Sequence, residues 1–230
     1  MKSSLRIHGI YDLRTLAPIK ETKVHHWVFD LRPKSLNYIP AYKLEEILQK
    51  EGMYADSVTL HFSFEKDFII RKVIDDLLKA YPQIEGRLFL EFSDNESVQF
   101  YESFGLPFFW HYQSLKHTSE ILASSKLKGL IFESDFLDGI LGSEVERNFL
   151  MNLFSLNPRL VSHPIDFILN VNERTSFSRT FFEFLDFTMI TLVLGPEMEV
   201  CYRNIDLNLL SQKIKSLKLK EKQHAHSALQ

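Results

Sequence analysis

Eight short apolar runs, each followed by a longer polar or amphipathic stretch, constrain this chain more than any other feature. The runs are Leu5–Ile10, Val24–Phe29, Ser57–Phe62, Arg87–Phe92, Pro107–Tyr112, Gly129–Phe132, Ile165–Val171 and Met189–Leu194. They are rich in Phe, Val, Ile and Leu, as strands buried on both faces are. The intervening segments carry helical periodicity. Ala41–Lys50 places Leu44, Ile47 and Leu48 on one face, and Lys66–Ala80 repeats Ile69, Ile70, Val73, Ile74, Leu77 and Leu78 at three-to-four spacing. Asp12–Lys20, Asn95–Phe104, Ser114–Ala123, Ser143–Leu153, Arg174–Leu185 and Leu207–Leu217 complete the helical set. Strict alternation predicts a parallel sheet with right-handed crossovers. Eight units in 230 residues predict closure into a (βα)8 TIM barrel, with an open doubly wound sheet as the competitor. No linker or repeat divides the chain, so one barrel is expected over residues 1–218, with a polar, frayed tail over 219–230.

Composition excludes several classes of function. A net charge of −3, with no basic cluster except lysines near the C-terminus that read as a solvated helix end, argues against nucleic acid. No run of about 18 apolar residues offers a membrane span. The N-terminus lacks the apolar stretch of a signal peptide, and the single cysteine, Cys201, rules out an internal disulfide. A cytoplasmic protein is expected. Only 8 glycines are present. That is few for a barrel binding phosphate through backbone N–H groups.

Four stretches carry a family resemblance, in order along the chain. Arg6–Ile10 (RIHGI) is similar to the first strand of the phosphoribosylanthranilate isomerases, and FDLRPKSLNYIP at 29–40 resembles their second strand–helix loop. Asp138–Val145 (DGILGSEV) resembles a worn form of the glycine-rich loop after strand six, keeping Gly139 and Gly142. Leu194–Leu207 is similar to the final loop, keeping Gly195, Glu197 and Asp206.

The resemblance implies an Amadori rearrangement, in which an acid protonates a ribose ring oxygen and a base removes the neighbouring carbon's proton. It places His8 at the position of the family's catalytic cysteine and Glu133 at that of its catalytic aspartate. It also implies substrate contacts from the second loop. There Asn37 stands where the family has arginine, with Arg32 and Lys34 nearby. The phosphate loops are altered: Asn170 and Val171 replace a glycine pair, Val193 and Leu194 replace two serines, and Pro196 has no N–H to donate. The expectation is a diverged barrel without the ancestral activity, acting as a binding or interaction module for a small molecule at its mouth or for a protein partner. An active isomerase with His8 as base and Glu133 as acid is the alternative.

Strand parity points Arg6, His8, Glu91 and Glu133 into the barrel, while His61 and His111 lie on other strands. Two histidines and two carboxylates could ligate a metal, but no pair has a signature spacing, and neither a metal nor another cofactor is expected. His25 and His26, which open a strand, are expected to be structural. The ring-rich segments Pro107–Gln113 and Phe181–Phe187 are read as core, with an apolar pocket or a protein-contact face as the alternatives.

Overall fold

The computed structural model of the protein describes residues 4–112, 118–140, 142–155, 165–172 and 185–227. Eight parallel strands close into a barrel in sequence order: β1 (Ser4–His8), β2 (His26–Asp30), β3 (Ser57–Phe62), β4 (Leu88–Phe92), β5 (Phe108–His111), β6 (Leu127–Glu133), β7 (Asp166–Val171) and β8 (Met189–Val193), with β8 paired to β1. The competing open sheet is excluded by that last pairing.

The described helices are α1 (Leu13–Glu21), α2 (Ala41–Glu51), α3 (Asp67–Ala80), α4 (Val98–Glu102), α5 (Thr118–Ile121), α6 (Ser134–Ile140), α7 (Glu144–Ser155) and α8 (Leu207–Ser227). The buried faces of α2 and α3 are those the periodicity marks: Leu44, Ile47 and Leu48, then Ile70, Ile74 and Leu77. Asp12 caps α1 by accepting from the Thr15 amide at 2.9 Å, which satisfies one of the free N–H groups of the first turn. The helix expected over Arg174–Leu185 falls mostly outside the described residues. The last helix does not end at Leu217. It continues to Ser227, through the segment read as a frayed tail. A short antiparallel pair, β9 (Glu199–Cys201) and β10 (Asn204–Ile205), precedes it.

Two apolar compartments result. The larger lies between strands and helices and includes Trp27, Phe29, Phe62, Phe92 and Trp110, all essentially inaccessible. Phe108, Trp110 and Tyr112 of the first ring-rich segment belong here, the first two fully buried and Tyr112 nearly so. Leu185 and Phe187 of the second ring-rich segment are also core, and residues 181–184 lie outside the described set. The smaller compartment is inside the barrel, where Phe109, Ile131 and Ile168 pack with Phe89 and Met189.

Residues paired in parallel register share a face of the sheet. Following Arg6↔Thr191, Thr59↔Phe89, His61↔Glu91, Glu91↔Phe109, Phe109↔Gly129 and Glu133↔Asn170 around the barrel gives one inward set. On β5–β8 its lower part is mostly apolar. On β1–β4 it is polar, and the C-terminal rim is polar almost throughout.

Candidate functional site

The C-terminal ends of the strands bring His8, His61, Ser63, Ser93, His111, Glu133, Asn170 and Val193 around a cavity of about 480 Å³, with Arg32 at its edge. This is the end of the barrel where the loops that follow each strand converge, and where barrel enzymes hold their chemistry. The lining is polar, so the ring-rich segments have not built an apolar pocket here.

Beneath the cavity lies a buried ion pair. Arg6 Nη2 donates to Glu91 Oε2 at 2.5 Å, with both side chains at most 2% exposed. The guanidinium also stacks 4.7 Å from the Phe109 ring centroid. The other oxygen of Glu91 accepts from His111 Nε2 at 2.8 Å and lies 3.3 Å from His61 Nδ1. His111 in turn meets Glu133 Oε1 through Nδ1 at 3.0 Å, and Asn170 Nδ2 donates to the same oxygen at 2.8 Å. His61 joins His8 through Nδ1 and Nε2 at 2.9 Å and holds Ser93 Oγ at 2.9 Å on its other nitrogen.

The protonation pattern follows from these partners. Burial keeps His8 below the usual imidazole pKa despite the pull of Asp30 and Glu91. Burial also pushes His61 well below it. Burial works the same way on His111, but hydrogen bonds to Glu133 and Glu91 outweigh it and raise its pKa to about 9. Burial would raise Glu91, yet Arg6, His61 and His111 hold it well below the carboxylate range. Glu133 behaves alike: burial raises it, and His111 with Asn170 brings it down. Two neutral imidazoles therefore stand beside one imidazolium held between two carboxylates. The proton between His111 and Glu133 is drawn toward His111, and Glu133 accepts from it and from Asn170.

At the second loop, Asp30 is fully buried at the end of β2 and binds Arg32 through both oxygens, at 2.8 Å to Nε and 2.6 Å to Nη2. Ser35 Oγ adds a bond at 2.6 Å. Burial would raise the Asp30 pKa, but the Arg32 bonds and the neighbouring His8 and His61 hold it well below the usual carboxylate range. Arg32 Nη1 reaches Ser93 Oγ at 3.3 Å.

Several expected site residues are elsewhere. Asn37 is 5% exposed and donates to the Leu194 carbonyl, tying the second loop to the end of β8. It fills the space over Gly9, whose φ of +92° any side chain would adopt only with strain. Asn37 is thus a structural brace outside the cavity. Lys34 is exposed on the loop and does not line the cavity. Arg6 and Glu91 lie under the cavity floor. Gly139 is inside α6, because Leu137 and Ile140 bury one face of a helix where the resemblance implies a loop. Gly142 has a φ of +73° in the turn before α7. Gly195 precedes a 3-10 turn at Pro196–Met198, and the Glu197 carboxylate occupies the space a side chain there would need. None of the three glycines lines the cavity. His26 bonds Ser57 Oγ at 2.9 Å near the opposite end of the barrel, and His25 is outside the cavity too.

The features absent from the expected site are Asp30, Ser63, Ser93 and the bond between His61 and His8. Strand-end position is the signal that finds them: Asp30, His61 and His111 occupy the last or penultimate places of their strands, as His8 and Glu133 do. Outside the mouth, an apolar groove of about 180 Å³ runs between α2 and α3 past Leu44, Phe68, Ile69, Val73 and Leu77, with Phe68 66% exposed.

The fold is similar to that of solved phosphoribosylanthranilate isomerases. The enzyme from Thermotoga maritima superposes with a TM-score of 0.64 at 12% identity, over 93% of this chain and 97% of that one. The enzyme from Thermus thermophilus gives 0.57 at 14%, over 93% and 99%. The likeness extends to other barrels: orotidine 5'-monophosphate decarboxylase from Sulfolobus solfataricus gives 0.54 at 10%, over 96% and 99%. No family model and no curated protein matches the sequence. At these identities the likeness is one of fold. Among the described residues, no helix is long and apolar enough to cross a membrane.

Proposed function

We propose that this barrel binds a small, uncharged polar molecule, of the polyol or sugar class, at its C-terminal mouth, and that it does not carry out the phosphoribosylanthranilate rearrangement. One observation carries the reading. Every charge described at or beneath the mouth has an opposite partner: Arg32 with Asp30, Arg6 with Glu91, and His111 with Glu91 and Glu133. A phosphate or carboxylate entering this ring would have to break an existing pair, and leaving a buried charge without its partner costs several kcal/mol. Hydroxyls can bond Ser63, Ser93, Asn170 and the exposed half of Glu133 without such loss.

Thermal unfolding tests this with neutral polyols, ribose among them, against ribose 5-phosphate and inorganic phosphate. A neutral ligand at 100-fold its Kd adds about 2.7 kcal/mol, and no phosphorylated compound is expected to do better than its neutral counterpart. Preference for the phosphorylated member of a pair would overturn the reading.

A second reading has one specific observation behind it: His8 and Glu133 border the same cavity, as an active isomerase using both would require. Complementation of a tryptophan auxotroph lacking the isomerase separates the two. We expect no growth with soluble protein. Growth lost in both His8→Ala and Glu133→Ala would establish the ancestral reaction.

A further inference from the structure

Three lone-pair-bearing atoms converge just under the mouth. His8 Nε2, His61 Nδ1 and Glu91 Oε1 form a triangle with sides of 2.9, 3.3 and 3.9 Å. A triangle with those sides has a circumscribed radius of about 2.0 Å, so a single point lies at that distance from all three, matching zinc–imidazole and zinc–carboxylate bond lengths of about 2.0–2.2 Å. We propose that His8, His61 and Glu91 form a divalent transition-metal site, with zinc the best fit, holding one ion at the cavity floor.

The donor set is two imidazoles and one carboxylate, the three-ligand pattern that leaves a coordination position open. His8 and His61 line the cavity, so the open position faces the mouth and takes water or a ligand hydroxyl. The ligands come from β1, β3 and β4, three of four consecutive strands of a closed barrel, which hold donors more rigidly than loops do.

Outer partners already orient two of the three ligands. Ser93 Oγ meets His61 Nε2 at 2.9 Å, so the neutral ring that binds metal through Nδ1 keeps its proton on Nε2 and donates it to the serine. Arg6 holds the second oxygen of Glu91. His111 shares Oε1, whose second lone pair remains for the metal. Binding needs no loss of ring protons: the proton lying between His8 and His61 moves to the far nitrogen of its own ring, and both imidazoles stay neutral. The orphaned atom of the cluster is His8 Nδ1, which is buried without a hydrogen-bond partner. It is the nitrogen that carries the proton when Nε2 binds metal. Asp30 Oδ2 lies 3.9 Å from His8 Nε2 but is committed to Arg32 and Ser35, so it is not a fourth ligand.

The test uses the full chain, stripped with chelator, titrated calorimetrically with zinc and spectroscopically with cobalt(II). It needs no organic ligand, so it can succeed where the polyol reading fails, and the reverse. Other candidate donors, the exposed Cys201 and two histidines near the C-terminus, are removed in parallel by Cys201→Ser, His224→Ala and His226→Ala, which should leave one equivalent bound. His8→Ala and His61→Ala should each weaken zinc binding at least about 100-fold and abolish the cobalt spectrum. Ser93→Ala removes the hydroxyl that orients His61, together with its contact to Arg32, and should weaken binding about 10–100-fold with the fold intact. Absence of saturable binding in the variant lacking Cys201, His224 and His226 would overturn the site. So would zinc affinity unchanged by His61→Ala and Ser93→Ala.

Discussion

Glu91→Ala is expected to destabilise the barrel by about 3–5 kcal/mol, because it leaves the Arg6 guanidinium buried without a counter-ion. Arg6 is 2% exposed, its Nη1 already lacks a partner, and Glu91 supplies its one described carboxylate. The Phe109 ring offers a cation–π contact at 4.7 Å, worth about 0.5–2 kcal/mol and too little to replace an ion pair. Loss of this size lowers the Tm of a chain this long by about 6–20 °C. His111 also loses one of its two carboxylates. The measurement is urea unfolding in chelator, so that metal does not contribute. Arg6→Met combined with Glu91→Gln removes both charges while keeping an acceptor for His111, and should recover at least half of the loss. The double-mutant cycle isolates the coupling between the two residues. A cost below about 1 kcal/mol for Glu91→Ala would show that water reaches Arg6 and that the pair is not closed off.

The second large effect is a gain. Asp30→Asn should give the mouth an affinity for inorganic phosphate and sugar phosphates that the wild type lacks. Asp30 holds Arg32 through both oxygens and is itself fully buried. The amide cannot neutralise the guanidinium, but it can still accept from Arg32 Nε and partner Ser35. Arg32 is 30% exposed, so the released cation stays hydrated and the fold survives. It already borders the cavity. A charge-assisted bond from Arg to phosphate is worth about 1.5–3 kcal/mol, or about 10–100-fold in Kd. Isothermal titration with phosphate and ribose 5-phosphate reads this directly. If Asp30→Asn binds phosphate no better than wild type, pairing of the mouth charges is not what excludes anions, and the case for a neutral ligand loses its main support.

These two substitutions address opposite sides of one design. The rim holds three histidines within reach of three carboxylates and an arginine, yet partner geometry separates their states. His8 and His61 are neutral because burial dominates. His111 is cationic because two carboxylates embrace it. His8 and Glu133 do not stand as an isolated base and acid: His8 bonds His61, and Glu133 bonds His111 and Asn170.

Much of this architecture was legible in the sequence. The apolar runs mark all eight strands to within a few residues, because strands buried on both faces must be continuously apolar. The faces of α2 and α3 follow from three-to-four spacing alone. Strand parity also turned Arg6, His8 and Glu91 inward. That Pro196 has no N–H to donate could be read directly, since it is a property of the residue. Tertiary structure decided what parity could not. It placed Arg6 and Glu91 below the cavity and His8 at its floor, a matter of how far along each tilted strand a residue sits. It made Asn37 a brace, because the space over Gly9 and the Leu194 carbonyl come together only in the closed barrel. It turned the stretch around Gly139 into a helix, since burying Leu137 and Ile140 outweighs the freedom of one glycine. It also joined His61 to His8 across 53 positions of sequence. Sequence fixes which side of a strand a residue faces, but the distance between two lone pairs on different strands depends on barrel closure and stagger.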